Sequence, residues 1–486
     1  MFSLKKSIVL RLFIIAFLSL ILLIPAAMIQ ELISEREQRR NAAVLEVSDK
    51  WGSEQTLAGL VLSVPHKVAL REQQTDDKGK VTVKTVGEKI EYVHLLPEVL
   101  DIKAHLTPEI RHRGIYDIAL YNAAVQFSGK FSLAELHDLA IDQPENLQWE
   151  NATVSLGISD LKGIREVIPI TWNGRELTAN PGLPTRDVVG NVAVKQTTFN
   201  TRPISSFADD YDRETVAQGA LASGVTAKLN EPTLKDSTVA VYTFSAALNL
   251  NGSETFRVVP IGKQTTVTLS SSWTNPSAIG AYLPEKPLNA EPQGFSATWK
   301  VLHLNRDYPQ AWIGNAHRIY NSAFGVKLLM PIDEYQKNIR TVKYAIMFIG
   351  LTFLAFFMTE LLNKTAIHPI QYLLIGLALV IFYILLLSLS EQFGFNTAYI
   401  LSSVGVISLI AFYAQSVLRK TAPTVFITGI LVILYGFLFT ILQLQDYALL
   451  LGSLLLFIAL ALVMALTRNI DWFNAAQVLE EKAEVK

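Results

Sequence analysis

Cysteine is absent from all 486 residues. That excludes disulfides, thiolate catalysis and zinc sites built on cysteine. Surplus charge is also absent: 42 Lys and Arg stand against 43 Asp and Glu, a formal net charge of −1. A chain without a basic excess has nothing to drive nucleic-acid binding. The sequence carries no HExxH, no GxSxG, no P-loop and no GxGxxG, so the common short signatures of metalloprotease, hydrolase, NTPase and dinucleotide chemistry are missing. Charge is scarcest near the C-terminus. Between Tyr344 and Thr467 only Glu360, Lys364, Glu391, Arg419, Lys420 and Asp446 are ionised.

Those six residues separate long apolar runs. About 20 apolar residues in succession match the thickness of a bilayer core. The pattern predicts five spans, at about Ile339–Met358, Ile370–Leu389, Thr397–Val417, Thr424–Leu442 and Tyr447–Leu466. A sixth precedes them near the N-terminus, residues 8–29 (IVLRLFIIAFLSLILLIPAAMI). Its rival reading is a cleaved signal peptide, with Lys5 and Lys6 as the positive start and Pro25-Ala26-Ala27 near the cleavage site. The apolar stretch exceeds the usual signal-peptide core of about 7–15 residues, which favours an uncleaved anchor. Lys364, Arg419, Lys420 and Arg468 fall in alternate loops, whereas the loops with Glu391 and Asp446 hold no Lys or Arg. By the positive-inside rule both termini are then cytoplasmic and residues 30–338 extracytoplasmic. Arg36, Arg39 and Arg40 argue the other way, but a large domain translocates largely regardless of charge. The resulting division is an anchor at 8–29, a domain at 30–338, a five-helix region at 339–468 and a cytoplasmic tail at 469–486.

The domain reads as β. Asn173-Gly174, Asn251-Gly252 and Asp77-Lys78-Gly79 lie between apolar-alternating runs and predict hairpin turns. Ala240, Tyr242, Phe244, Ala246, Leu248 and Leu250 share one face of a strand. A short helix is expected at Leu133–Ile141, capped by Ser132 with Glu135 closing a capping box. The Pro- and Gly-rich segment Asn275–Gly294 reads as an ordered loop. Several hairpins in succession point to antiparallel sheets packed as a sandwich. The fold class is therefore an α-helical membrane bundle of six transmembrane helices with a large extracytoplasmic β-rich domain.

Two clusters have a metal-site reading. His105, Glu109 and His112 surround Pro108 and read better as a solvated turn. Asp209, Asp210 and Asp212 lack the glycine and closing Glu of a calcium loop and read as a solvated loop. No charge falls in the middle of the five C-terminal spans. Glu360, Glu391, Asp446 and Arg468 sit at span ends, where interfacial anchoring explains them. Ser388, Ser402, Ser403, Ser408, Gln415 and Thr428 enter the spans, and helix-to-helix hydrogen bonding is the expectation for them. No catalytic, cofactor-binding or metal residue is assigned.

Several segments taken together resemble the CreD family of bacterial inner-membrane proteins: WGSEQTLAGLVLSVP at 51–65, SWTNPSAIGAYLP at 272–284, GFSATW at 294–299, KYAIMFIGLTFLAFFMTEL at 343–361, HPIQYLLIGLALVIFYILLLSLSEQFGFNTAY at 368–399 and LLLGSLLLFIALALVMALTRNIDW at 449–472. The stretch from His368 to Glu391 is the most specific. The resemblance implies a role in cell-envelope integrity, in tolerance of colicins and in the response to β-lactams, with production under the CreBC two-component system. It implies no enzymatic activity and no cofactor. Three functional readings follow. The first is a non-enzymatic membrane protein of the envelope-stress response. Its periplasmic domain contacts an envelope protein or cell-wall component, and its bundle sits in the lipid bilayer. The second is a transporter or channel for a small neutral or amphiphilic substrate. The third, an enzyme, needs convergent titratable groups that the sequence does not supply.

Overall fold

The computed structural model describes residues 8–75, 81–136, 139–185, 223–229, 241–288, 292–330, 334–363, 365, 367–444 and 447–468. The acidic cluster at Asp209–Asp212, the turn at Asp77–Gly79, Lys364 and Asp446 lie outside these residues. The chain forms two compact units, one from residues 1–42 and 332–486, the other from 43–331.

The first unit is helical. Its helices are α1 (Ile8–Ile21), the start of α2 (Leu23–Trp51), α3 (Glu334–Lys343), α4 (Ala345–Asn363), α5 (Pro369–Phe393), α6 (Phe395–Leu418), α7 (Thr421–Gln443) and α8 (Ala448–Thr467). Among the described residues six helical stretches are long and apolar enough to cross a membrane, with α1 and α2 together forming the first. The interruption at Leu22 has a local cause. Pro25 has no N–H for the Ile21 carbonyl, and its ring crowds that carbonyl. Leu22 there is buried and meets Gly376 of α5. A Cβ at position 376 would lie 2.2 Å from Leu22 Cδ1 and 2.9 Å from Phe353 Cζ. Small residues let membrane helices approach this closely. Gly376→Ala is accordingly expected to cost about 1–3 kcal/mol through overpacking. Adding Leu22→Ala should restore part of that loss, read as thermal stability of the purified protein. Strict additivity of the two changes would refute the contact.

α5 begins on a capping box. His368 Nδ1 accepts from Ile370 N at 3.3 Å, and Gln371 Oε1 accepts from His368 N at 2.9 Å. Pro369 occupies the first helical position, where an N–H is not needed. The HPIQ segment is thus a helix start. His368→Ala should cost about 1 kcal/mol and His368→Asn much less, which thermal denaturation of the two variants can separate.

The second unit is β-rich. Its strands are β1 (Gln55–Thr75), β2 (Val81–Leu95), β3 (Val99–Arg113), β4 (Tyr116–Ser132), β5 (Thr153–Ile158), β6 (Pro169–Trp172), β7 (Arg175–Thr178), β8 (Asn180–Pro181), β9 (Gly224–Lys228), β10 (Val241–Ser253), β11 (Thr255–Val259), β12 (Gln264–Ser271), β13 (Pro276–Gly280), β14 (Phe295–Leu302), β15 (Ala311–Ile313) and β16 (Phe324–Leu328). They form a sheet ordered β13-β16-β11-β1-β5-β9-β8, extended by β2 and β15, and a second sheet ordered β14-β12-β3-β4-β10-β6-β7. The sheets face each other across one apolar core. Tyr121 of β4 meets Phe256 of β11 edge-on at 6.1 Å, and Trp299 of β14 packs on Phe324 of β16 at 5.5 Å.

The sheets are mixed, not purely antiparallel: β1 pairs with β11, and β3 with β12, in parallel. Asn173 and Gly174 have positive φ and turn β6 into β7 as expected. Asn251-Gly252 does not form a turn. β10 runs through it paired with β4, and the chain changes sheets at Glu254, which has φ 52°. Gly252 is needed for a different reason: a Cβ there would lie 2.4 Å from the Tyr121 ring. The expected helix at Leu133–Ile141 is one 3-10 turn, Leu133–Leu136. Glu135 pairs with Lys263 at 2.5 Å instead of closing the capping box.

Candidate functional site

His105, Glu109 and His112 do not converge. They lie along β3, and each has its own neighbour: Ser270 at 2.9 Å, Arg111 at 2.7 Å and Asp117 at 2.5 Å respectively. The segment is a strand and not the solvated turn expected from Pro108. β12 pairs with β3 only from Val99 to Leu106, so Pro108 sits where that flank of β3 has no strand partner among the described residues. A proline without an N–H is tolerated at such an edge. Among the described residues no group of three His, Asp or Glu side chains could hold a metal ion.

The segments that carry the resemblance serve the architecture. Gly52 ends α2 with φ +145°, and a Cβ on it would lie 2.5 Å from Asn251 O. Gln55 is fully buried. Its Nε2 donates to Asp160 O at 3.1 Å and Asn251 O at 3.0 Å. Its Oε1 accepts from Ser159 Oγ at 3.1 Å and Asp160 N at 3.3 Å. Trp51 is covered by the Arg111 guanidinium, 3.9 Å from the ring centroid. Nearby, Glu46 accepts from Lys50 at 2.8 Å and Arg113 at 3.1 Å. Hydrogen bonds from Lys50 and Arg113 hold the Glu46 carboxyl below its ordinary range. The interaction is therefore present above the ordinary carboxylate pKa and fades as pH falls through the lowered one. Gly280 (φ +92°) and Gly294 (φ +108°) each press against a carbonyl, of Ala323 and Ser271, at distances no Cβ could occupy.

In the helical unit the charged residues tie helices together. Arg11 of α1 reaches Glu360 of α4, Nη1 to Oε1 at 2.5 Å, and Tyr372 of α5 donates to the other carboxylate oxygen at 2.9 Å. Glu360 is only 5% exposed, so it is not the interfacial anchor the sequence suggested. Sequence reading missed Arg11, although a lone arginine inside an apolar span was the available signal. Arg36 lies 3.8 Å from Glu391, which also accepts from Tyr335 Oη at 3.1 Å. Asn338 Nδ2 donates to Ser390 Oγ at 2.9 Å.

The neutral polar residues divide. Thr428 bonds back to Thr424 O at 2.9 Å, the ordinary solution inside a helix. Ser402 is buried and its hydroxyl has no hydrogen-bond partner, contrary to the expected helix-to-helix bond. Ser403 Oγ likewise has no partner, and nearby in the chain Tyr399 belongs to a ring cluster in which Phe382 meets Tyr383, Tyr399 and Tyr435 at 5.1, 5.5 and 4.8 Å.

Six apolar helical stretches among the described residues, with a two-sheet β domain, define a multi-pass membrane protein. The family model described as inner membrane protein CreD matches residues 7–473. The Escherichia coli (strain K12) protein named inner membrane protein CreD is 32% identical over 457 residues, covering 93% of this chain and 91% of that protein. The chain belongs to the CreD family of inner membrane proteins.

Proposed function

We propose that this protein is a non-enzymatic component of envelope integrity. Its β domain is periplasmic and contacts an envelope protein or cell-wall component, its helices anchor or relay, and its production is under CreBC control. One observation carries the non-enzymatic part. The described residues of the family-like segments supply helix caps, close backbone approaches and buried hydrogen bonds. Family membership supports the envelope role. A photo-crosslinking residue at Val167 or Leu304, which are 87% and 79% exposed, tests the contact in intact cells. The expected result is one saturable adduct with an envelope component whose deletion reproduces the envelope phenotype. Probes at both sites that capture nothing would overturn the reading.

The topology has its own test. A reporter active only in the periplasm should be silent when fused after Lys486 or inserted at 364–367, and active at residue 230 or 446. Activity at the C-terminus would overturn the orientation with both termini inside. A second reading, a path for a small neutral substrate, draws support from the unpartnered hydroxyl of Ser402.

A further inference from the structure

The chain holds two Asn-Gly pairs, and the fold places them in opposite settings. Asn173-Gly174 is the tip of the β6–β7 hairpin. Both residues are exposed, with φ of 48° and 80°. A Cβ on Gly174 would meet nothing within 4 Å, and among the described residues its N–H makes no backbone hydrogen bond. The turn is held at its base: Asn173 N donates to Thr243 O at 2.7 Å, and the fully buried Trp172 pairs with Arg175. Asn251-Gly252, in contrast, runs inside β10, opposite Asn122 and Tyr121 of β4. Asn251 is only 3% exposed. Its Oδ1 accepts from Asn122 Nδ2 at 3.1 Å and its carbonyl from Gln55 Nε2 at 3.0 Å, while the Tyr121 ring crowds Gly252.

We propose that Asn173 is a site of spontaneous covalent modification, at which the side-chain amide is lost as ammonia and the turn becomes isoaspartyl or aspartyl, whereas the sheet protects Asn251. The attacking nitrogen and its target are neighbours in one chain, so the step is intramolecular. Gly174 N bonds to Asn173 Cγ, the Cγ–Nδ2 bond breaks, and Nδ2 leaves as ammonia with the proton of the Gly174 N–H. A side chain on the following residue would hinder that approach, and glycine has none. The cyclic imide that remains is opened by one water at either carbonyl. Opening at the backbone carbonyl of residue 173 routes the chain through Cγ and gives isoaspartate. Opening at Cγ gives aspartate. Isoaspartate lengthens the backbone by one carbon between Trp172 and Gly174. A two-residue turn sets the register of its strands, so the change loosens β7, the last strand of its sheet. It also adds a negative charge at an exposed edge. The inference stands apart from the envelope-partner reading.

The two pairs serve as each other's control. Full-length protein in detergent is incubated at mildly alkaline pH and then digested with trypsin, which releases the sites on separate peptides, residues 166–175 and 236–257. Mass spectrometry reads the change of amide to carboxylate, and labelling by an isoaspartyl methyltransferase reads the isomer. In the folded protein Asn173 should convert at least about tenfold faster than Asn251, because reaching Asn251 means opening its buried hydrogen bonds. In denaturant the two rates should become alike, since the dipeptide is the same and only the fold distinguishes them. Asn173→Gly keeps a residue suited to the positive-φ turn and should sharply reduce the methyltransferase labelling of the folded protein. An Asn173 rate in the folded protein no greater than that of Asn251 would overturn the proposal. Labelling undiminished in Asn173→Gly would place the reactive residue elsewhere and overturn it as well.

Discussion

Glu360→Gln is expected to destabilise the full-length protein by about 3 kcal/mol, the order of loss when one partner of a buried pair is removed or an arginine is left uncompensated in a membrane. Glu360 is the meeting point of three helices: Arg11 of α1 on one oxygen and Tyr372 of α5 on the other, with Glu360 itself on α4. Gln keeps an acceptor for the Tyr372 hydroxyl but removes the charge that compensates Arg11. The loss should therefore come mainly from the arginine. It follows that Arg11→Leu combined with Glu360→Gln should recover most of the stability, because no buried charge is then unpaired. Thermal denaturation in detergent, with membrane abundance alongside, reads both. Single variants as stable as the native protein would show that the pair contributes nothing. A double variant no better than Glu360→Gln would show that the carboxylate matters for another reason.

That pairing also marks where sequence reading stops. The spans were legible because lipid demands a long apolar run, and α5 to α8 match the predicted segments within a few residues, whereas the predicted Ile339–Met358 is divided between α3 and α4. The alternation of Tyr242, Phe244, Ala246, Leu248 and Leu250 was legible because one face of β10 is buried. The Arg11–Glu360 contact was not, since its partners lie 349 positions apart and nothing local links them. Asn251-Gly252 misled because one dipeptide serves two purposes. Glycine can supply a left-handed turn, or it can make room for a ring, and only the position of Tyr121 decides between them. The parallel pairs β1–β11 and β3–β12 were hidden for the same reason as the ion pair, as each joins segments far apart in the chain. For the candidate site the sequence named Ser402 and Ser403. It could not say that Ser402 lacks a partner, because that depends on which way α6 faces α5 and α7.

The largest effect in the β domain is expected at Gln55. Gln55→Leu should cost roughly 4 kcal/mol, since buried polar groups left without a partner cost about 1–3 kcal/mol each and only some can relax. The side chain has both amide hydrogens engaged, by Asp160 O and Asn251 O, and its oxygen accepts from Asp160 N and shares the Ser159 hydroxyl proton with Glu54 O. Those partners come from the start of β5's following loop and from β10, so one residue joins both sheets where the helix α2 ends at Gly52. Gln55→Glu is the informative companion. It matches the native shape but replaces two donors with a carboxylate oxygen facing two carbonyls, so it should destabilise at least as much at neutral pH. Protonating that carboxyl by lowering the pH would return one donor and should narrow the gap to the native protein. Chemical denaturation followed by tryptophan fluorescence provides the measurement. A loss below about 1 kcal/mol for Gln55→Leu, the worth of one ordinary hydrogen bond, would mean that water replaces the missing amide and that the junction is not sealed.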